Sequence, residues 1–148
     1  MLNTGLISGN SNFRLYFAGQ ATSQFGNGLV PVVFAFAALQ VAPSGSVIPL
    51  VLLALWATRV VLLPLGSVVA ERHNKATVML FSDIGRLVAQ LIAAVPFLLG
   101  AGAAWQLVLS AGVYGAFTAF FVPASFANLP MIVSRSDLQR ANALLGMA

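Results

Sequence analysis

The residues able to do chemistry in this chain are few and grouped. Of its ten Asp, Glu, Lys and Arg residues, six fall between positions 59 and 86: Arg59, Glu71, Arg72, Lys75, Asp83 and Arg86. Glu71, Arg72, His73 and Lys75 crowd into a short turn between two apolar runs. Asp83 and Arg86 stand three apart, so on a helix they share a face and form a natural ion pair. Arg59 lies inside the preceding apolar run, about 16 Å of helical rise from either surface, beyond comfortable snorkelling. Upstream, Gln20, Gln24 and Asn27 recur at i, i+4 and i+7, which aligns three amides on one helical face. Such groups bind or orient a polar solute; they do not cut bonds. No nucleophile and base pair is present. Without Cys, a lone His73 assembles no metal site, so neither a metal nor a cofactor is expected and the chain reads as no enzyme.

The elements that must position these residues follow from composition. Hydrophobic residues make up 59% of the 148 positions and charged residues 7%, against roughly 25% charged in soluble domains. An apolar helix of about 20 residues crosses the hydrocarbon core of a bilayer. The chain predicts a polar tail over 1–12, a first span over 13–41, an uncharged turn at 42–46 and a second span over 47–70. After the charged turn come a third span over 76–99, an uncharged turn at 100–104 closed by the interfacial Trp105, and a fourth span ending near 121. A polar passage follows with Pro123, Pro130, Arg135, Asp137 and Arg140, where Ser136 or Asp137 can cap a new helix. Its last residues, ANALLGMA, are the start of a fifth helix and are too short to span anything, so the chain reads as truncated. The fold expected is all-α and integral to the membrane, with four transmembrane helices and the start of a fifth. Gly26, Gly28 and Pro31 loosen the first span, and Ala111, Gly115 and Ala119 form a small-xxx-small stripe on the fourth.

The cations report topology. Arg14, Arg72, Lys75, Arg135 and Arg140 fall on one side, while both turns on the other side carry no charge. The positive-inside rule then places the N-terminus and the 71–76 turn in the cytoplasm of a multi-pass protein of the cell (inner) membrane. The net charge of +4 is scattered over helix ends without a basic patch or an aromatic platform, so no nucleic-acid partner is expected.

The charged turn resembles the signature between helices two and three of the major facilitator superfamily, G-x-L-A-D-R-x-G-R-R. Ser67 stands at the first Gly with Gly66 beside it, Ala70 and Arg72 match, Glu71 replaces Asp, Asn74 replaces the second Gly, Lys75 replaces Arg, and Ala76 lacks the last base. Asn is at ease in the left-handed backbone such a turn needs, so Asn74 is expected to do that Gly's work, and Ser67 to keep the helices close. FRLYFAGQATSQFGNGL (13–29), LFSDIGRL (80–87) and FFVPASFANLPMIVSRSDLQRANAL (120–144) are similar, in order and spacing, to the branch containing siderophore and multidrug exporters. Asn27 sits where that branch often has an acid, and Ser125 where a base is common. The resemblance implies the first third of a twelve-helix transporter whose partners are the bilayer, the remainder of the transporter and a small-molecule substrate bound between two six-helix halves.

On that reading Ser67, Glu71, Arg72, Asn74 and Lys75 belong to a cytoplasmic gate, and Gln20, Gln24, Asn27 and Arg59 to the substrate cavity. Each role has a plainer counterpart. The amides can simply join helices. The turn can be solvated and set topology. Arg59 can bond backbone carbonyls at a helix break, although burying a lone guanidinium at mid-bilayer costs about 2.5–3.5 kcal/mol and implies a partner. Asp83 and Arg86 read as a structural pair or gate element near the cytoplasmic end. The function expected is proton-coupled export of a drug-like or siderophore-like molecule by alternating access; the alternative is a four-helix membrane scaffold without transport.

Overall fold

The computed structural model describes residues 11–132, and these are helical apart from short turns. Four helices follow one another: α1 (Ser11–Val41), α2 (Ile48–Arg72), α3 (Lys75–Leu98) and α4 (Ala104–Ile132). All four are long and apolar enough to cross a membrane. The chain is a multi-pass membrane protein by that architecture. The tail before Ser11, Arg135, Asp137, Arg140 and the start of a fifth helix lie outside the described residues.

Each connection is made by residues suited to it. At 42–47 the chain turns through Gly45 at φ 75°, with the Gly45 N–H donating to the Ala42 carbonyl at 2.9 Å. Gly100, at φ 72°, ends α3 in a Schellman motif. Its N–H donates to the Phe97 carbonyl at 3.1 Å, and the Ala101 N–H donates to the Pro96 carbonyl at 2.8 Å. Both uncharged turns thus rely on a left-handed glycine.

The charged turn does not. His73 (φ −119°, ψ 168°) and Asn74 (φ −63°, ψ 121°) are both extended, and no non-glycine residue among those described has a positive φ. The expected left-handed role for Asn74 is overturned. Asn74 is the N-cap of α3, its side-chain oxygen accepting from the Ala76 N–H at 3.0 Å and the Thr77 N–H at 3.3 Å. Asn suits that place because it satisfies two of the four orphan donors of a helix start.

The fourth span also differs from expectation: α4 does not stop near 121 but continues through Pro123 to Ile132. A proline removes only the bond to the carbonyl four residues back, here that of Ala119, and membrane helices tolerate this where a neighbour approaches the freed group. Gly66 of α2 supplies that neighbour. A methyl placed on Gly66 would fall against the Ala119 carbonyl oxygen and within 2.8 Å of its carbon and 3.1 Å of the Phe120 Cα. The close approach expected at Ser67 is therefore made one residue earlier. Ser67 instead donates to the Leu63 carbonyl of its own helix at 3.1 Å.

By internal contacts the chain separates into a unit comprising 31–127 and a second one that includes the N-terminal part of α1 and the end of α4. In the 31–127 unit α4 is the central helix. Along its parallel seam with α2, Thr58 meets Gly112, Leu55 meets Gly115 and Gly66 meets Ala119. Along its antiparallel seam with α3, the Ser110 hydroxyl donates to the Ala89 carbonyl, the Phe117 ring covers Gly85, and Ala124 packs with Val78 and Ala70. Gly115 and Ala119 of the predicted stripe do allow backbones to meet, since a methyl on Gly115 would come within 3.0 Å of the Leu55 carbonyl carbon.

The pattern is that of a bilayer protein. The buried residues of α3 are Val78, Ser82, Gly85, Arg86 and Ala89, while Leu80, Phe81, Ile84, Leu87, Val88, Leu91 and Val95 are exposed. Water would expel that arrangement, whereas lipid is as apolar as the exposed side chains and leaves packing and hydrogen bonding to drive association.

Candidate functional site

The third turn of α3 brings Asp83 and Arg86 together. Arg86 Nη2 donates to Asp83 Oδ1 across the i, i+3 spacing. The pair is asymmetric: Arg86 is 5% exposed, the Asp83 side chain 51%. Two rings of α4 complete the enclosure, with the Arg86 guanidinium 4.1 Å from the Phe121 centroid and 5.9 Å from that of Tyr114. A desolvated guanidinium over a ring gains about 2 kcal/mol, comparable with the cost of holding the charge at mid-bilayer. Its depth also differs from the sequence reading. Arg86 stands eleven residues from Lys75 and twelve from Leu98, at the middle of α3 and not near its start.

Arg59 is at the same level on α2, eleven residues from Ile48 and thirteen from Arg72. It is half-buried, and its guanidinium lies 5.2 Å from the Trp56 centroid one turn away. Among the described residues no carboxylate is within ion-pair distance of Arg59. Its guanidinium faces instead a ring, which attracts the cation without neutralising it.

The row of amides on α1 divides in two. Gln20 is buried and donates to the Tyr16 hydroxyl at 2.9 Å, whereas Asn27 reaches the exposed Gln24 at 3.4 Å. These are bonds within one helix, at spacings of four and three residues.

In the charged turn Glu71, Arg72, His73 and Asn74 are exposed and Lys75 is half-buried. The His73 ring meets the Val69 carbonyl at 3.2 Å through Nδ1, which donates in that tautomer. Glu71 and Arg72 are thus presented outward, while Asn74 is committed to the cap.

Several contributors escaped the sequence reading: Tyr114, Phe121, Trp56, Thr58 and Ser110. A tyrosine ten residues into an apolar span was the available signal, because its hydroxyl needs a hydrogen-bond partner when taken out of water. The two rings over Arg86 carried no such mark, as aromatics in a span are ordinarily packing. Among the described residues no group of His, Asp or Glu could hold a metal ion.

Compared with protein families, with characterised proteins and with solved structures, the chain finds no match.

Proposed function

We propose that α1–α4 are the first four helices of a secondary active transporter of the major facilitator kind, a proton-coupled exporter of a small organic molecule working by alternating access. The observation that carries this reading is the buried Arg86 at mid-span, held by Asp83 and two rings. Ionisable groups inside a membrane are expensive, and where they occur they mark substrate or ion paths. A scaffold gains nothing from such a charge, since the glycine seams at Gly66 and Gly115 already join its helices. In this reading the substrate lies near the midplane, between this helical half and a second one. Outward-facing Glu71 and Arg72 are available on the cytoplasmic side to hold the two halves shut, and the N-terminus is cytoplasmic.

The test uses inverted vesicles from cells expressing the whole reading frame, with an imposed pH gradient followed by a pH-sensitive dye. Adding solutes from a panel of small organic anions, neutrals and cations should collapse the gradient for a subset of them. Arg86→Gln, inserted to an equal level, should abolish that response. A panel without effect, or an Arg86→Gln protein that responds like the parent, would leave the scaffold reading in its place.

A further inference from the structure

The two mid-span arginines flank the level of one residue of α4, Tyr114. Thr58 bonds to Gly112 and Leu55 meets Gly115, so Arg59 stands one position past a contact that brackets Tyr114. From the other side, Gly85 is covered by Phe117 and Ala89 is bonded by Ser110, so Arg86 also lies at the level of Tyr114. The Arg86 guanidinium lies 5.9 Å from the Tyr114 ring.

Charge is not balanced at this level. The chain has three acidic residues, Glu71, Asp83 and Asp137. Glu71 is exposed in the last turn of α2, and Asp137 lies outside the described residues, which leaves Asp83 as the one acid described at mid-span. Asp83 is engaged by Arg86. Two guanidiniums thus share one carboxylate, and Arg59 has the Trp56 face in place of a counter-charge. A mid-membrane cluster with one excess positive charge is completed by one negative charge. A guanidinium holds a carboxylate through two parallel bonds, and a tyrosine hydroxyl can accept from one group while donating to another.

We propose that Arg59, Arg86 and the Tyr114 hydroxyl form a site for the carboxylate of a monovalent organic anion, with the Trp56 ring beside it to take a planar apolar body. As the substrate class of the transporter this rests on the reading above; as a binding site it is measured without any gradient, so the two can fail separately.

The chain has two tryptophans, Trp56 and Trp105, so Trp105→Phe leaves Trp56, 5.2 Å from Arg59, as the reporter in these helices, and its signal is the part lost on Trp56→Phe. The whole protein carrying this change is placed in lipid nanodiscs and titrated with benzoate. A saturable change in Trp56 fluorescence is expected, with no response to benzamide, which has the same shape and no charge. Arg59→Gln should raise half-saturation about tenfold or more, the worth of one charge-assisted contact. Arg59→Lys should recover part of the loss, because the charge is kept and the fork is not. Circular dichroism verifies that each variant remains helical, and benzoate-dependent thermal stabilisation gives a second readout that does not depend on the ring beside the mutated residue. No saturable response to benzoate, equal binding of benzamide, or parent affinity in both Arg59 variants would overturn the site. Binding without gradient-driven flux in the vesicle assay would instead refute the transporter and leave the anion site standing.

Discussion

Replacing Gly66 by Ala tests whether the α2–α4 seam rests on backbone contact. The added methyl would meet the Ala119 carbonyl oxygen and come within 2.8 Å of its carbon and 3.1 Å of the Phe120 Cα. All three are main-chain atoms of a helix, so no side chain can rotate away and the helices themselves must separate. Overpacking of this kind costs about 1–3 kcal/mol, and the immobility of the obstacle places Gly66 at the upper end, about 3 kcal/mol. Ala gains up to about 1 kcal/mol over Gly in a helix interior, which leaves a net loss of about 2 kcal/mol. The assay is reversible unfolding in mixed micelles by increasing the SDS fraction, read by circular dichroism. Gly26 is the control, as a methyl there has nothing within 4 Å. Gly26→Ala should be neutral or up to about 1 kcal/mol stabilising. Gly85→Ala should fall between, because the atoms it meets belong to the Phe117 ring, which can move. A Gly66→Ala protein as stable as the Gly26→Ala protein would refute the packing argument.

Asp83→Asn should destabilise the same protein by a few kcal/mol, about 3 at the low end for a broken buried pair because Asp83 is half exposed, while Asp83→Asn with Arg86→Met should recover much of the loss. Mixed-micelle unfolding decides it, and a double variant no better than the single one would mean that the buried charge is not the source of the cost. Asn74→Ala should cost about 1 kcal/mol and speed hydrogen exchange at the Ala76 and Thr77 amides, whereas Asn74→Gly should lose only a few tenths. Equal exchange in the Ala variant and the parent would contradict the cap. In this Cys-free chain, a single Cys at position 74 should be shielded from an impermeant external thiol reagent in intact cells, and one at 44 or 101 labelled. The opposite pattern would invert the topology.

Element types were legible because span length and the bilayer fix each other: four apolar runs gave four helices whose ends, that of α4 apart, fall within a few residues of expectation. The end of α4 was not, because proline is read as a stop from local chemistry while its cost here depends on which neighbour meets the Ala119 carbonyl. Asn74 shows a similar limit. One residue type serves both left-handed turns and helix caps, and only the backbone angles tell which use is made. The Asp83–Arg86 pair was legible from spacing alone, but not its burial, which comes from α4 rings distant in sequence. Arg59 was identified by depth; that it shares a level with Arg86 and Tyr114 needed the register of both seams.

Thr58 has a single hydroxyl proton and two close acceptors: the Ala54 carbonyl of its own helix at 2.6 Å and the Gly112 carbonyl of α4 at 2.9 Å. If α2 and α4 part or slide, the hydroxyl falls back on Ala54 and no donor is left stranded in the apolar interior, where an unmet polar group would cost several kcal/mol. Ser67, back-bonded to Leu63 two turns further along, asks nothing of α4 at all. The polar side chains of α2 thus resist separation weakly, and the seam is governed by the fit of Gly66 and Gly115: a joint that can come apart and close again without the Thr58 or Ser67 hydroxyl being left dry.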